Sequence, residues 1–426
     1  MNQVTQLRHP RPGPVRVPNA SRRERGLTVI ELLISVLVAS LLIGFVFEIQ
    51  GRMSTAFRSQ TNIGSLQQGI RAANELIARD VRLAGFMAPS GIRVSSKFVS
   101  GLTGLTDGLV QDDAFGNKFV PSLVIRNNPD AMPPDGMEPD RIHVFYADPN
   151  PLAQAVVVSI ASSTSVVVNR TTIFEPGDLI MFARRDPASR PHPLRPDLPV
   201  ITNYFTCLVR LTSIDFGTSA LVFADDSPEP FNTAGNEHCF LGSGANEPAL
   251  EPAATERTQV FRVVARAYQI DTTRPSVAAL ERSDTAGLRD DWQEIGLGFV
   301  DLQISQRYVE EVADGSDLDG DGDFRADWYT SDAPLPPDFH LTQIGIGLVA
   351  RTPRSVEGVR ALTVPVLTLG NPPVGTPANN PFGDAAMINK NILLPEYNPE
   401  GRPEGGDHVY RLSTTFVDIR NLGNSY

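Results

Sequence analysis

Cysteine, tryptophan and histidine are scarce, with two, two and six copies in 426 residues. The strings HExxH, CxxC, GxSxG and the Walker-type GK[ST] do not occur. The usual zinc-protease, dithiol, serine-hydrolase and nucleotide-binding sites therefore leave no footprint. The pair His238 and Cys239 comes nearest to a nucleophile with its base. Neighbours in an extended chain point to opposite faces, however, and half of a disulfide beside a surface histidine explains the pair better. The expectation is a protein that is not an enzyme. Positive charge is also scarce once the first 26 residues are set aside. That segment holds six Arg and one Glu, so the formal net charge of −12 divides into +5 for it and −17 for everything after. A body so negative disfavours nonspecific binding to nucleic acid, and no such partner is expected.

With only two cysteines, Cys207 and Cys239 are each other's sole partners within the chain. In an oxidising compartment they would close a loop worth roughly 3–4 kcal/mol in the chain-entropy account. Two buried thiols are the alternative. Long apolar runs are lacking too, with one exception. Residues 1–26 are polar, carry Pro at 10, 12, 14 and 18, and end in the basic RRERG. From Leu27 to Phe47 the chain reads LTVIELLISVLVASLLIGFVF, 21 residues with a single charge, Glu31. As a helix this spans a hydrocarbon core of ~30 Å. Arg22, Arg23 and Arg25 on its N-terminal side orient that end to the cytoplasm.

An ordinary secretory signal would be cut after its apolar stretch at an A-x-A-like site, and the best one here, near Ala39, lies in mid-run. A plain anchor would not place a carboxylate five residues into its span, where a charge costs roughly 2.5–3.5 kcal/mol at the helix centre. RGLTVIELLISVLVA instead resembles the cleavage and methylation motif of type IV prepilins and type II secretion pseudopilins. The resemblance implies cleavage by a prepilin peptidase after Gly26, N-methylation of the new terminus Leu27, and a docking role for Glu31. Leu27 stands where Phe is commonest, and the proline that kinks many such helices is absent. A carboxylate one turn from the cut amine could neutralise its own terminus or that of a neighbouring subunit within a helix bundle.

Beyond the apolar run, residues 51–85 hold no proline. Leu66, Ile70, Ala73, Ile77, Val81 and Ala84 recur at spacings of three and four, which predicts one apolar stripe on a continuing helix. Arg71, Asn74, Glu75, Arg79, Asp80 and Arg82 are expected mainly on its other faces, and Gly85 is a plausible C-terminal cap. GSLQQGIRAANELIARDVRLAGF is similar to the end of this helix in PilW-type minor pilins, including Ala84, Gly85 and Phe86. After Gly85 short β-branched runs alternate with Gly, Pro, Asn and Asp clusters. Strands are expected at 122–126, 141–147, 155–160, 165–170, 178–183, 207–214, 259–270, 299–309, 342–351, 361–369 and 408–419. The Pro-rich stretches 185–200 and 371–406 read as loops.

The expected fold is therefore α+β and pilin-like, a long N-terminal helix packed on a large antiparallel sheet-rich head. Its divisions are a leader at 1–26, a membrane and polymerisation helix at 27–48, an amphipathic continuation at 49–86, and the head at 87–426. Within the head, DLDGDGDFRADW at 317–328 opens like a calcium loop of the EF-hand type, D-x-D-x-D-G. Asp317, Asp319 and Asp321 would supply ligands, with Asp323 or Asp327 closing the shell where an EF-hand has Glu. A solvated acidic turn is the alternative, and calcium is the only cofactor expected. The resemblance implies a subunit of the inner membrane with its head in the periplasm, later carried to the cell surface in the pilus. Implied partners are prepilin peptidase, the major pilin, other minor pilins and a large tip adhesin. A type II secretion pseudopilin and a membrane-tethered periplasmic enzyme or ligand-binding protein are the competing readings.

Overall fold

In a computed structural model of the chain, the described residues are 28–88, 91–95, 98, 111–112, 118–127, 139–150, 152–185, 204–225, 231–233, 236, 239, 258–271, 278–286, 291–310, 327–330, 339–352 and 410–419. The chain divides into two units, residues 1–58 and 59–426. The expected strand at 361–369 and the Pro-rich stretches 186–200 and 371–406 lie outside the described residues.

One helix, α1 (Val29–Leu83), runs without interruption inside the proline-free stretch of sequence between Pro18 and Pro89. Its 55 residues are close to the length expected from the apolar run and the stripe after it. The helix stops where Gly85 adopts φ +73°, a left-handed conformation that glycine enters without a Cβ clash. Among the described residues eighteen strands follow: β1 (Ile92–Arg93), β2 (Gln111–Asp112), β3 (Lys118–Val120), β4 (Leu123–Asn127), β5 (Asp140–Ala147), β6 (Gln154–Ser162), β7 (Ser165–Val168), β8 (Leu179–Arg185), β9 (Tyr204–Arg210), β10 (Ser213–Asp215), β11 (Ala220–Val222), β12 (Gln259–Asp271), β13 (Ala279–Ser283), β14 (Gln293–Leu297), β15 (Phe299–Glu310), β16 (Asp327–Thr330), β17 (Phe339–Arg351) and β18 (Tyr410–Asp418). The class is α+β.

Two sheets form among the described residues. The larger has 14 strands along the path β10-β11-β7-β6-β12-β8-β9-β1-β3-β2, with β4, β5, β13 and β14 branching from it. The smaller runs β16-β15-β17-β18. Among the described strands pairing is antiparallel, as largely expected, except where β1 meets β9, Arg93 opposite Cys207, and Ala265 of β12 adds an isolated parallel bridge to Thr285. β12 is the hub. Its first residues pair with β6 and β8, and its later ones with β5 and β13. Its two faces are covered as well as its edges: Tyr268 and Ile270 enter the core under α1, and Phe261, Val263 and Ala265 enter a second one, which is why QVFRVVARAYQID carries apolar residues on both faces. The expected strand at 207–214 is in fact two, β9 and β10, parted where Leu211 N–H donates to Asp178 O (2.8 Å) and Thr212 Oγ1 to Val222 O (2.9 Å).

The main core of the second unit is built by the stripe of α1 from Leu66 to Ala84 against Ile142, Val144, Ile270, Leu302, Ile304, Ile344, Ile346, Leu348 and Val417. It joins both sheets under one helix. A further tie lies at the start of β5, where buried Asp140 accepts from the Ile304 amide at 2.6 Å. That amide sits beside the end of the β15–β16 ladder, which covers Ser305–Tyr308. Arg71, Glu75, Arg79 and Arg82 are exposed on the other faces of α1, as expected, and Asn74 and Asp80 are the exceptions. Both are buried, at 4% and 0% exposure. The reason is helical spacing: Asn74 follows Ile70 by four, and Asp80 follows Ile77 by three, which places both on the seam.

Candidate functional site

The first unit carries a helical segment with no covering protein. Every large apolar residue from Val29 (76% exposed) to Phe57 (71% exposed) faces outward. At 1.5 Å rise per residue, the helical part of the run, Val29 to Phe47, is about 28 Å long, close to the ~30 Å of a bilayer core. It is a helix long and apolar enough to cross a membrane. Its polar continuation is announced by Glu48 and Arg52, an ion pair four residues apart at 2.7 Å.

Gly26 and Leu27 lie outside the described residues, and the description starts at Thr28. Thr28 and Glu31 begin the helix as a capping box. Thr28 Oγ1 accepts from the Glu31 amide (3.3 Å), and a Glu31 carboxylate oxygen accepts from the Thr28 amide and hydroxyl (3.4 Å each). The pattern T-x-x-E before an apolar run is the signature of such a box, and it was readable in the sequence beside the reading given to Glu31. Both oxygens and amides are exposed and the contacts are at the long end of hydrogen bonding, so the carboxylate is held loosely.

Of the five acidic residues assigned to a cation, Asp317, Asp319, Asp321 and Asp323 lie outside the described residues. Asp327 is the first residue of β16, its backbone opposite Tyr308 of β15. The acidic stretch is thereby the connection of a β15–β16 hairpin. Among the described residues no group of three or more His, Cys, Asp or Glu could hold a metal ion. Cys207 on β9 and Cys239 are joined in a disulfide with their Cα atoms 5.5 Å apart. Both are buried in the core formed by Phe182, Phe223, Val209 and Val260.

One constellation was not singled out from the sequence. Asp80, fully buried, accepts at Oδ1 from the hydroxyl of Tyr146 on β5 (3.0 Å) and at Oδ2 from that of Tyr268 on β12 (2.6 Å). Arg79 reaches Oδ1 at 3.4 Å, but its side chain is 63% exposed and points to water. Burial first, and the negative charge of Asp80 next, push both phenols far above their ordinary value of 10.0. They therefore remain protonated donors at any physiological pH. The available signal was an acidic residue at seam spacing in the last turns of a helix, where the helix dipole disfavours it. No family model matches the chain, and neither a curated protein nor a solved structure does.

Proposed function

We propose that this chain is a minor subunit of a type IV pilus, of the PilW type, anchored through its N-terminal helix and taking part in the initiation of pilus assembly at the filament tip. The observation that carries the reading is RGLTVIE set directly before a 21-residue apolar run. A peptidase acting on the cytoplasmic face after Gly26 leaves Leu27 with a free amine, one residue before the capping box. Glu31 then has two uses for one carboxylate. In a lone subunit it caps its own helix through Thr28. In a bundle it neutralises the Leu27 amine of a neighbour, and the long contacts within its own box make that exchange easy. Pairing two charges in an apolar bundle removes both and selects one axial offset between helices.

The size of the head supports a place at the tip. Residues 87–426 make 340 residues to be carried on one helix, too bulky for close stacking of many copies along a shaft. The subunit would meet prepilin peptidase, the other minor pilins, the major pilin and a large tip adhesin in turn, moving from the inner membrane to the cell surface. The disulfide suits a head that matures in an oxidising compartment.

The test is Gly26→Ala, made alongside Glu31→Ala, in the native cell. Gly26→Ala should leave a chain larger by the 26-residue leader and unmethylated at Leu27. Glu31→Ala should be cut normally yet fail to enter filaments. A Gly26→Ala chain of unchanged apparent size refutes the reading, and immunogold labelling along the whole shaft refutes the tip location.

A further inference from the structure

The seam of α1 in the second unit has a built-in ambiguity. Leu66, Ile70, Ala73, Ile77, Val81 and Ala84 repeat at three and four residues, and all are aliphatic. Moving the helix by one turn, about 5.4 Å, sets one aliphatic side chain in the place of another along most of the contact. Cores tolerate such exchanges when volume and pattern are kept. Apolar packing alone therefore selects weakly among neighbouring axial positions.

We propose that Asp80 is the residue that selects the axial position of this helix segment on its sheets, with Asn74 as a second determinant. Tyr146 and Tyr268 stand on adjacent strands, Tyr146 opposite Val264 and Tyr268 opposite Ile142. They are thus four residues apart along the pair and on the same face, roughly 13 Å between backbones. Their side chains lean toward each other, and both hydroxyls end on one carboxylate. A shift by one turn in either direction takes that carboxylate beyond hydrogen-bond reach of both hydroxyls. It also brings an aliphatic residue to the place where two buried phenols need an acceptor. Asn74 repeats the device about 1.7 turns earlier, where its amide donates to Ser413 Oγ of β18 at 2.6 Å. Stability alone would not place an acid here, because the position is buried and three residues from a helix C-terminus. A buried polar group that breaks the local rule while fixing one alignment is the arrangement known from polar residues in coiled-coil seams. Asp80 is a positioning residue on this account.

The experiment uses the full chain in detergent, with its native disulfide intact, and reads axial position by cysteine cross-linking. Asn74→Cys with Ser413→Cys reports the native position; Ile70→Cys or Ala78→Cys with Ser413→Cys reports a shift of one turn either way. With Asp80 present, only the 74–413 pair should cross-link. The triple replacement Asp80→Leu, Tyr146→Phe and Tyr268→Phe removes the polar cluster without stranding any of its members. It should fold, lose the exclusive 74–413 product and gain at least one shifted product. Asp80→Asn, which keeps an acceptor at that point, should restore the native pattern. A triple variant that cross-links only at 74–413 overturns the proposal. A triple variant that does not fold overturns it as well, since Asp80 would then serve stability and not alignment.

Discussion

Replacing Tyr268 with Phe removes one oxygen and should destabilise the second unit more than its size suggests. Asp80 has no exposure, and the Tyr268 hydroxyl is its shorter contact, at 2.6 Å against 3.0 Å for Tyr146. A hydrogen bond to a charged group contributes about 1.5–3 kcal/mol, and stranding a buried acceptor adds its desolvation to the loss. About 3 kcal/mol is expected for Tyr268→Phe. Tyr146→Phe should cost about half as much, because Arg79 already lies 3.4 Å from the oxygen that Tyr146 serves and can take its place. Losing both tyrosines leaves the buried carboxylate with only the exposed Arg79 beside it, and a loss toward the roughly 3–5 kcal/mol typical of a broken buried pair, about 3 kcal/mol or more, is expected. The combined loss should then differ from the sum of the single ones, because the three groups form one network. Urea unfolding of the full chain in detergent, followed by tryptophan fluorescence at a fixed pH near 7, measures each step. A Tyr268→Phe midpoint equal to the wild type's would mean that the carboxylate is solvated, and the reasoning from burial would fail.

Further outcomes follow from other sites. The Asp301 carboxyl group on β15 is pushed up to about 7 by burial, opposed by hydrogen bonds from Gln303 and the Leu302 amide. The folded chain therefore holds this proton more tightly than the unfolded chain does. Its stabilising contribution is complete below about pH 4 and is lost as pH rises through about 7, by as much as about 1.4 kcal/mol per unit; Asp301→Asn should flatten that part of a stability–pH curve. Cys207→Ser with Cys239→Ser should lower stability by about 3–4 kcal/mol, and denaturant midpoints of the two forms would show it. If the acidic connection between β15 and β16 holds calcium, millimolar Ca²⁺ should raise the melting temperature and release heat in calorimetric titration. Changing Asp319 and Asp321 to Asn should abolish both effects, and an inert wild type rejects the site.

Much of the architecture was legible because periodicity is local. The proline-free stretch and its three-and-four stripe marked α1 to within two residues of its ends, and the long β-branched runs marked β5, β8, β12, β15, β17 and β18. Short or polar strands escaped. ALERS of β13 and QEIGL of β14 carry no alternation strong enough to stand apart from loop; β13 exists as a strand because β12 offers it an edge, and β14 because β13 does in turn. The role of β12 as hub was hidden for the same reason, since sheet order is set by contacts distant in sequence. At the N-terminus, Glu31 stood out by its charge in an apolar run, while its partnership with Thr28 needed only the T-x-x-E spacing. Asp80 went unremarked among the polar residues of α1 because its value depends on Tyr146 and Tyr268, 66 and 188 residues further on.

That separation has a consequence in time. The apolar stripe of α1 leaves the ribosome first, but the strands that cover it include β15, β17 and β18, whose residues come from 299 onward. At synthesis rates of roughly 5–20 residues per second, Ile77 waits on the order of 13–50 s for Ile344 to exist at all. A helix covered for that long only by the earlier strands β5 and β12 is a hazard to itself and to its neighbours. Its maturation accordingly calls for a chaperone or a membrane surface to occupy the stripe until the last strands arrive.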